Sequence, residues 1–321
     1  MKQPSTIIKS NPFNSFVLPD KWEWTVSAMK LFRNCKRKFF WKYIACIEPK
    51  KLSSSLFIGT IVHEILAKLY SGESTEAISE IIAKAEKSFD VAMWDQDEMD
   101  KAVIILETVA GMMQAYLEVY SNDTMGIDCT SIEKRYNVET SLYRFSGKID
   151  LVTQDTLWDH KTSSYIDSSY LSRLPLDTQI RGYAYLLYKN KLSPKKAVYN
   201  CIKKCALRRK SGETRDEFCA RIKSDYIGRA RTYFHRETVQ LSMDDLRSFE
   251  FELNQVDAEF RAIRNRPDWS NPRNWGINCS YCNAYFKDCA YLPLCTQGLD
   301  DSAKLMYDQT ERNKELEDAT E

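Results

Sequence analysis

No uninterrupted apolar run in the chain approaches the roughly 18 residues a membrane-spanning helix requires, so no membrane partner is expected. The opening residues, Met1-Lys2-Gln3-Pro4-Ser5-Thr6, lack the apolar stretch of a secretory signal, and a cytoplasmic location is the expectation. No Gly-x-x-x-x-Gly-Lys-Ser/Thr phosphate loop occurs, which excludes an ATP-driven motor of that type within these residues. Internal repeats and long low-complexity tracts are also missing. Net charge is scarce, at +1 from 46 basic and 45 acidic residues.

The chain does have the means to bury a core. Its 321 residues are 43% hydrophobic and 28% charged, ordinary for a globular protein of one large domain or one and a half. The charge is unevenly spread. Residues 300–321 hold eight acids and three bases, leaving a moderately basic body that suits a polyanion. Its basic clusters are Lys36-Arg37-Lys38, Lys203-Lys204 and Arg208-Arg209-Lys210. Ten cysteines argue for metal or redox chemistry rather than a disulfide framework, and Cys279, Cys282, Cys289 and Cys295 crowd one segment.

Residues 1–20 read as an irregular N-terminal segment. Ser27 is the expected cap of a helix through Ala28–Phe32, and a second helix is expected to start after Gly59. Two more helices are expected over residues 76–121. Period-two alternation marks strands at Thr130–Glu139, Leu142–Thr153 and Leu157–Lys161, then at Lys196–Lys203 and Thr232–Leu241. A helix falls near Gln179–Leu187. Ser242 and Asp245 form a plausible cap for a long amphipathic helix running from Leu246 to Ile263.

The chemistry concentrates in Gly147-Lys148-Ile149-Asp150 and Asp159-His160-Lys161-Thr162. The segment between them reads as a strand end, a tight reversal and a strand start. A hairpin of that size lets Asp150 and Asp159 converge. Asp159 and Lys161 share one face of their strand, because side chains two apart point the same way. Two carboxylates and an amine suit a hard divalent cation and a water held for attack. Alone, an Asp-x-Lys tripeptide is more often a surface charge pair.

This arrangement resembles the PD-(D/E)XK nuclease superfamily, with Asp150 and Asp159 as its acids and Lys161 as its lysine. Gly59-Thr60-Ile61-Val62-His63-Glu64 and Gln179-Ile180-Arg181-Gly182-Tyr183 are similar to the Gly-x-x-x-His and Gln-x-x-x-Tyr motifs of the RecB-like exonuclease branch. The resemblance implies that His63, Asp150, Asp159 and the His160 carbonyl bind Mg²⁺ or Mn²⁺. It also implies that Lys161 positions a water and that Gln179 and Tyr183 engage DNA or support the lysine. Glu64 can bind a second ion or form a salt bridge. Taken singly, His63 would more often be a hydrogen-bonded core histidine, and Gln179 and Tyr183 a helix surface and a half-buried ring.

For the cysteines two readings stand. Cys279, Cys282, Cys289 and Cys295 can make a local zinc knuckle, since Cys-x2-Cys is a common zinc pair. Iron–sulfur members of the RecB-like branch, such as the AddB-type helicase-nucleases and the CRISPR-associated adaptation nucleases, place one cysteine before the core and three after it. That resemblance implies a [4Fe–4S] cluster on Cys35, Cys282, Cys289 and Cys295, with Cys279 an alternative ligand.

The expected fold is therefore α/β, a restriction-endonuclease-like core with a mixed, largely antiparallel central sheet flanked by helices, its termini tied by a four-cysteine metal centre. The nuclease domain is expected over 21–298: helical at 21–125, catalytic core at 126–240, C-terminal helix and cysteine-rich segment at 241–298. An acidic tail at 299–321 is expected to fray. The segment Arg37-Lys38-Phe39-Phe40-Trp41 either guides a single strand of DNA or packs beside Cys35. The expected function is a metal-dependent DNA nuclease in repair, recombination or phage-like DNA processing, with any unwinding left to a helicase or recombination partner. The alternatives are a catalytically silent DNA-binding accessory on the same scaffold and a zinc-bearing nucleic-acid adaptor.

Overall fold

The computed structural model describes residues 18–50, 54–87, 96–124, 128–284 and 288–317. Most of the expected irregular segment at 1–20, and residues 318–321 of the tail, lie outside the described residues.

Alternating apolar positions produce five strands close to where the sequence places them, and three short strands, at Trp22–Trp24, Ile47–Pro49 and Tyr307–Gln309, are additions. In chain order these are β1 (Trp22–Trp24), β2 (Ile47–Pro49), β3 (Cys129–Glu139) and β4 (Tyr143–Thr153). Then come β5 (Thr156–Ser163), β6 (Lys196–Lys203), β7 (Phe234–Gln240) and β8 (Tyr307–Gln309). The helices begin with α1 (Val26–Asn34), α2 (Lys36–Phe39), α3 (Ser54–Tyr70), α4 (Glu76–Lys87) and α5 (Gln96–Thr124). They continue with α6 (Ser168–Ser172), α7 (Thr178–Lys189), α8 (Arg215–Gly228) and α9 (Ala230–Tyr233). The last are α10 (Met243–Arg264), α11 (Leu292–Thr296) and α12 (Asp301–Met306).

Strands pair in the order β1-β4-β5-β6-β7, with β3 also on β4, giving a mixed α/β fold whose central sheet is flanked by helices. The pairing is less antiparallel than expected. β5 and β6 run parallel over eight pairs, Thr156 opposite Lys196 through Ser163 opposite Lys203, and β1 runs parallel to β4. The reason lies in the chain between β5 and β6. Helix α7 carries it back to the starting end, and a crossover of that kind forces parallel strands. β4–β5 and β6–β7 are antiparallel.

The chain divides into two compact units, Met1–Lys51 with Val138–Ser146 and Glu250–Glu317, and Leu52–Asn137 with Gly147–Phe249. The second holds a core of Val62, Ile65 and Leu66 from α3, Val109, Met112 and Met113 from α5, Leu151, Ile202, and Phe218 and Ile222 from α8. α3 begins at Ser54, earlier than expected. Gly59 falls inside it, where a Cβ would come 3.4 Å from Thr162 Oγ1 on β5. α5 is long and apolar enough by length and composition to cross a membrane, yet half of that window is buried against the protein. Its Glu107 pairs with Lys223 of α8. α8 itself is an addition to the expected elements, although Thr214 and Glu217 form a capping box at its start. Ser242 and Asp245 do cap α10 as expected: the Asp245 N–H donates to Ser242 Oγ at 3.2 Å and Ser242 N–H to Asp245 Oδ2 at 3.0 Å.

The first unit is built on aromatic rings. Trp22, Trp24, Phe32, Phe39 and Phe260 pack mutually, from 4.7 Å between the Trp22 and Phe260 centroids to 6.1 Å between Phe32 and Phe260. Such pairs contribute about 0.5–1.5 kcal/mol each beyond burial. Phe39, Phe40 and Trp41 are all buried, so that segment packs and does not offer its rings to a strand of DNA. The cap of α1 is Thr25, whose Oγ1 accepts from Ala28 N–H at 3.0 Å; Ser27 lies within the helix.

The expected frayed tail is folded from 299 to 317. β8 pairs antiparallel with β2, and Ala303, Tyr307 and Leu316 are buried. Glu315 accepts from Thr25 Oγ1 at 2.7 Å and from the Tyr43 hydroxyl at 2.9 Å. Apolar anchors interleaved with the acids supply the burial that net charge alone conceals.

Candidate active site

β4 and β5 bring the two aspartates together. Leu151 faces Trp158 and Val152 faces Leu157, so the same register continued by one residue sets Asp150 opposite Asp159. The His160 backbone N–H donates to Asp150 Oδ2 at 2.7 Å. Asp159 is fully buried and Asp150 nearly so.

α3 presents His63 to Asp150, with Nδ1 3.5 Å from Oδ1. β3 adds a residue that sequence reasoning missed. Glu133 Oε1 lies 3.8 Å from His63 Nδ1, and donor atoms of His63, Glu133 and Asp150 all fall within 4.8 Å of one another. Glu133 adopts a left-handed backbone, φ +46°, in the middle of a strand. A non-glycine residue held there costs on the order of 1–3 kcal/mol, and such strain gathers at functional sites. Nothing in a single sequence marks Glu133. It sits among other charged residues on a separate strand, and only the fold aims its carboxylate at His63. Glu64, one residue from His63, pairs with Lys84 at 3.3 Å and does not join the cluster.

Asp159 faces Lys161, whose Nζ is 2.9 Å from Oδ2 and 3.1 Å from Oδ1. Lys161 also donates to Gln179 Oε1 at 2.8 Å, and Gln179 Nε2 donates to the Tyr183 hydroxyl at 3.1 Å. Both helical residues lie on α7, one turn apart, so they face the same strand. α7 packs tightly there: a Cβ at Gly147 would meet the Tyr183 ring and Leu186 at 2.8 Å. An ammonium has three N–H groups. Two of Lys161's have partners, leaving the third for an oxygen in the site.

The charges are strongly coupled. Burial, augmented by the charge of Asp150, pushes Asp159 up to about 6 despite Lys161 beside it. Burial acts in the same direction on Asp150, but the facing His63 and the His160 N–H hold it well below the usual carboxylate range. Burial opposes charging His63 too, yet Asp150 and Glu133 raise it to about 10. Lys161 stays charged, its burial outweighed by Asp159 and Asp150.

His160 plays a different part from the other predicted residues. Its ring points away into a buried network, with Nδ1 3.0 Å from Asn200 Nδ2 and the ring stacked on Tyr70 at 12° and 5.5 Å. Burial pushes it down to about 3, so it is neutral. Asn200 Nδ2 also donates to the Tyr116 hydroxyl at 2.9 Å, and the Arg236 guanidinium donates to the Tyr70 and Tyr116 hydroxyls at 3.2 and 3.3 Å. The His160 ring is thus not among the clustered donor atoms of His63, Glu133 and Asp150.

The cysteines of the expected centre belong to the first unit. None of the ten cysteines of the chain is in a disulfide. Beside Cys35, the Asn34 carbonyl accepts from Asn278 Nδ2 at 2.9 Å, and Arg37 N–H donates to the Gly276 carbonyl at 3.0 Å. Cys289 N–H donates to the Cys282 carbonyl at 2.6 Å. Burial raises the Cys282 thiol, as do Cys279, Cys35 and Cys289. Burial also raises Cys295, with Cys35 and Cys289 contributing.

The sequence model of the PD-(D/E)XK nuclease superfamily matches residues 23–296. The chain belongs to that superfamily. Its span takes in the histidine, aspartate, lysine, glutamine and tyrosine positions described above, together with all four cysteines of the expected cluster. No curated protein matches the chain. Among solved structures it is similar to a putative exonuclease from Eubacterium rectale, 14% identical with a TM-score of 0.45, covering 93% of this chain and 100% of that one. It is also similar to a phage-related exonuclease from Haemophilus somnus 129PT, 12% identical with a TM-score of 0.31, covering 67% of this chain and 96% of that one. These likenesses are too distant to carry an argument about function.

Proposed function

We propose that the protein is a metal-dependent DNA nuclease of the RecB-like exonuclease type. The observation that carries this reading is the convergence of His63, Glu133 and Asp150 within 4.8 Å, beside the Asp159–Lys161 pair. The donor set fits a hard divalent cation: carboxylate oxygens from separate strands and one imidazole, which favours Mn²⁺ somewhat over Mg²⁺. His63, Asp150, Asp159 and Glu133 would hold the ion, with the His160 carbonyl as a further donor. When bound, such an ion neutralises charge on a scissile phosphate and acidifies a water.

The chain's own groups do the rest. Asp159 and Gln179 orient the Lys161 ammonium so that its remaining N–H meets an attacking water or a phosphate oxygen. Tyr183 braces Gln179. His63 would hold the ion as the neutral imidazole, its proton passing to solvent.

The reading is tested on end-labelled single- and double-stranded DNA with Mn²⁺ or Mg²⁺. Cleavage is expected for the wild-type chain and none for Asp150→Ala, which keeps most of its DNA affinity because that affinity comes from phosphate contacts. Full activity in Asp150→Ala overturns it. From the resemblance to the iron–sulfur members of the RecB-like branch we also propose a [4Fe–4S] cluster of structural role on Cys35, Cys282, Cys289 and Cys295. A colourless, anaerobically purified protein holding zinc and no iron would assign the thiolates to zinc instead.

A further inference from the structure

β5, β6 and β7 set His160, Asn200 and Arg236 side by side. Asn200 is opposite His160 in the parallel pair and opposite Arg236 in the antiparallel pair, so the three share one face of the sheet. Alternation puts them on the face away from Asp159 and Lys161. α3 and α5 cover this face, and their Tyr70 and Tyr116 hydroxyls lie 3.0 Å apart. His160 is 3% exposed and Asn200 not at all. Asn200 Oδ1 has no hydrogen-bond partner among the described residues. Apolar side chains of similar shape would cost less stability in such a place. Packing alone therefore does not account for this polar row.

The row meets the candidate site at the His160 ring. That ring stacks on Tyr70 and packs edge-on against His63, with 5.9 Å between the histidine centroids and 76° between their planes. His63 and Tyr70 are seven residues apart on α3, about two turns, so one face of the helix presents both. The His160 ring is bracketed between them, and its place governs how α3 sits on β5. Asn200 Nδ2 donates to His160 Nδ1 at 3.0 Å, which fixes the rotation of the ring. The main-chain N–H of the same residue holds Asp150 Oδ2 at 2.7 Å.

We propose that Asn200 and Tyr70 are positioning residues of the nuclease site. They clamp the His160 ring, and His160 in turn places His63 by ring contact and Asp150 by its N–H. Arg236 and Tyr116 secure the clamp: Arg236 donates to both tyrosine hydroxyls and Asn200 Nδ2 to that of Tyr116. Ligands of an ion must be held to within about 0.5 Å, so a ring freed to turn registers as lost metal affinity. The proposal rests on the nuclease reading above.

The test reads Mn²⁺ affinity by calorimetry on the full chain without DNA, beside the thermal midpoint. Asn200→Leu keeps the shape and removes the donors. It is expected to weaken Mn²⁺ binding about 10-fold, with a thermal midpoint no lower than that of the wild type. Tyr70→Phe keeps the stacked ring and should stay within about 2-fold of wild type, whereas Tyr70→Leu should match Asn200→Leu. Ile222→Val, in the same core on α8, should lower the midpoint and leave Mn²⁺ affinity unchanged. The chain has three histidines, so NMR of histidine-labelled protein supplies a metal-free reading. The cross-peak between the His63 and His160 rings should weaken in Asn200→Leu, while His235, on the other face of β7 from Arg236, keeps its signal. Unchanged Mn²⁺ affinity in Asn200→Leu, or an equal fall in Ile222→Val, overturns the clamp. If the wild type binds no Mn²⁺, the cross-peak decides, and its persistence in Asn200→Leu overturns the clamp. Mn²⁺ binding that depends on Asn200, in a wild-type chain that cuts no DNA, would sink the nuclease reading alone.

Discussion

Each candidate catalytic side chain has a partner that explains its state. The two carboxylates facing His63, Asp150 and Glu133, favour its protonated form, and Asp159 resists ionisation because it is buried beside the same Asp150. The sign of the pH dependence follows. A histidine raised in the folded state stabilises the fold fully below its unfolded value of about 6.5, and that stability is lost as pH rises toward about 10. The metal-free protein should therefore lose thermal stability across that window, and His63→Gln should flatten the loss; thermal midpoints measured from pH 6 to 10 check this. Asp159, pushed up to about 6, is protonated below that value, so Mn²⁺ affinity measured by calorimetry should fall as pH drops through 6.

Glu133 is the residue on which geometry adds most. Glu133→Gln should weaken Mn²⁺ binding about 10- to 100-fold and lower the His63 titration midpoint followed by NMR. A structural surface glutamate would change neither. The aspartates, the lysine, the histidine and the glutamine–tyrosine pair were legible because each pair or motif is local. Strand and helix periods fix which side chains share a face over two or four residues. Glu133 faces His63 through a strand-to-helix contact, which no local period encodes.

Among the elements, β5, α7 and β6 do most of the positioning. α7 can place Gln179 against Lys161 only if it lies close on β4, and Gly147 is where that approach is tightest. Gly147→Ala should drive the Tyr183 ring away, costing about 1–3 kcal/mol of stability by overpacking. Cleavage should drop more than stability does; urea unfolding and the end-labelled assay together separate the two. Strand positions and the long helices were readable from alternation and three-to-four spacing. The parallel sense of β5 and β6 is written in neither strand, because direction depends on the connection and not on the strand's own residues. α8 has a weaker apolar stripe than its neighbours, although its capping box stands in Thr214 and Glu217.

Over the whole chain, the first unit is assembled from three separated pieces, and the cysteines of the proposed cluster come from two of them. A cluster joining Cys35 to Cys282, Cys289 and Cys295 would close a loop of more than two hundred residues. In the chain-entropy model such a crosslink stabilises by on the order of 5 kcal/mol. Cys35→Ser should therefore lose visible absorbance and iron together and lower the thermal midpoint. Cys129→Ser, in the other unit, should keep its colour. The folded stretch at 299–317 adds a requirement of its own: truncation before Asp301 removes β8 and the Glu315 contacts and should destabilise the protein, read by the same melt.

The amino-acid sequence by itself determined most of the long strands and helices, the spacing of Asp150, Asp159 and Lys161, and the kind of cation they suit. Those properties follow from backbone periods and side-chain chemistry within a few residues. Tertiary structure decided which distant groups join them. Glu133 enters the site, Asn200 and Tyr70 close on His160, the Phe39–Trp41 rings turn inward and the acidic end folds in. Each of these outcomes depends on burial against residues far away in the chain, and burial is a property of the packed molecule.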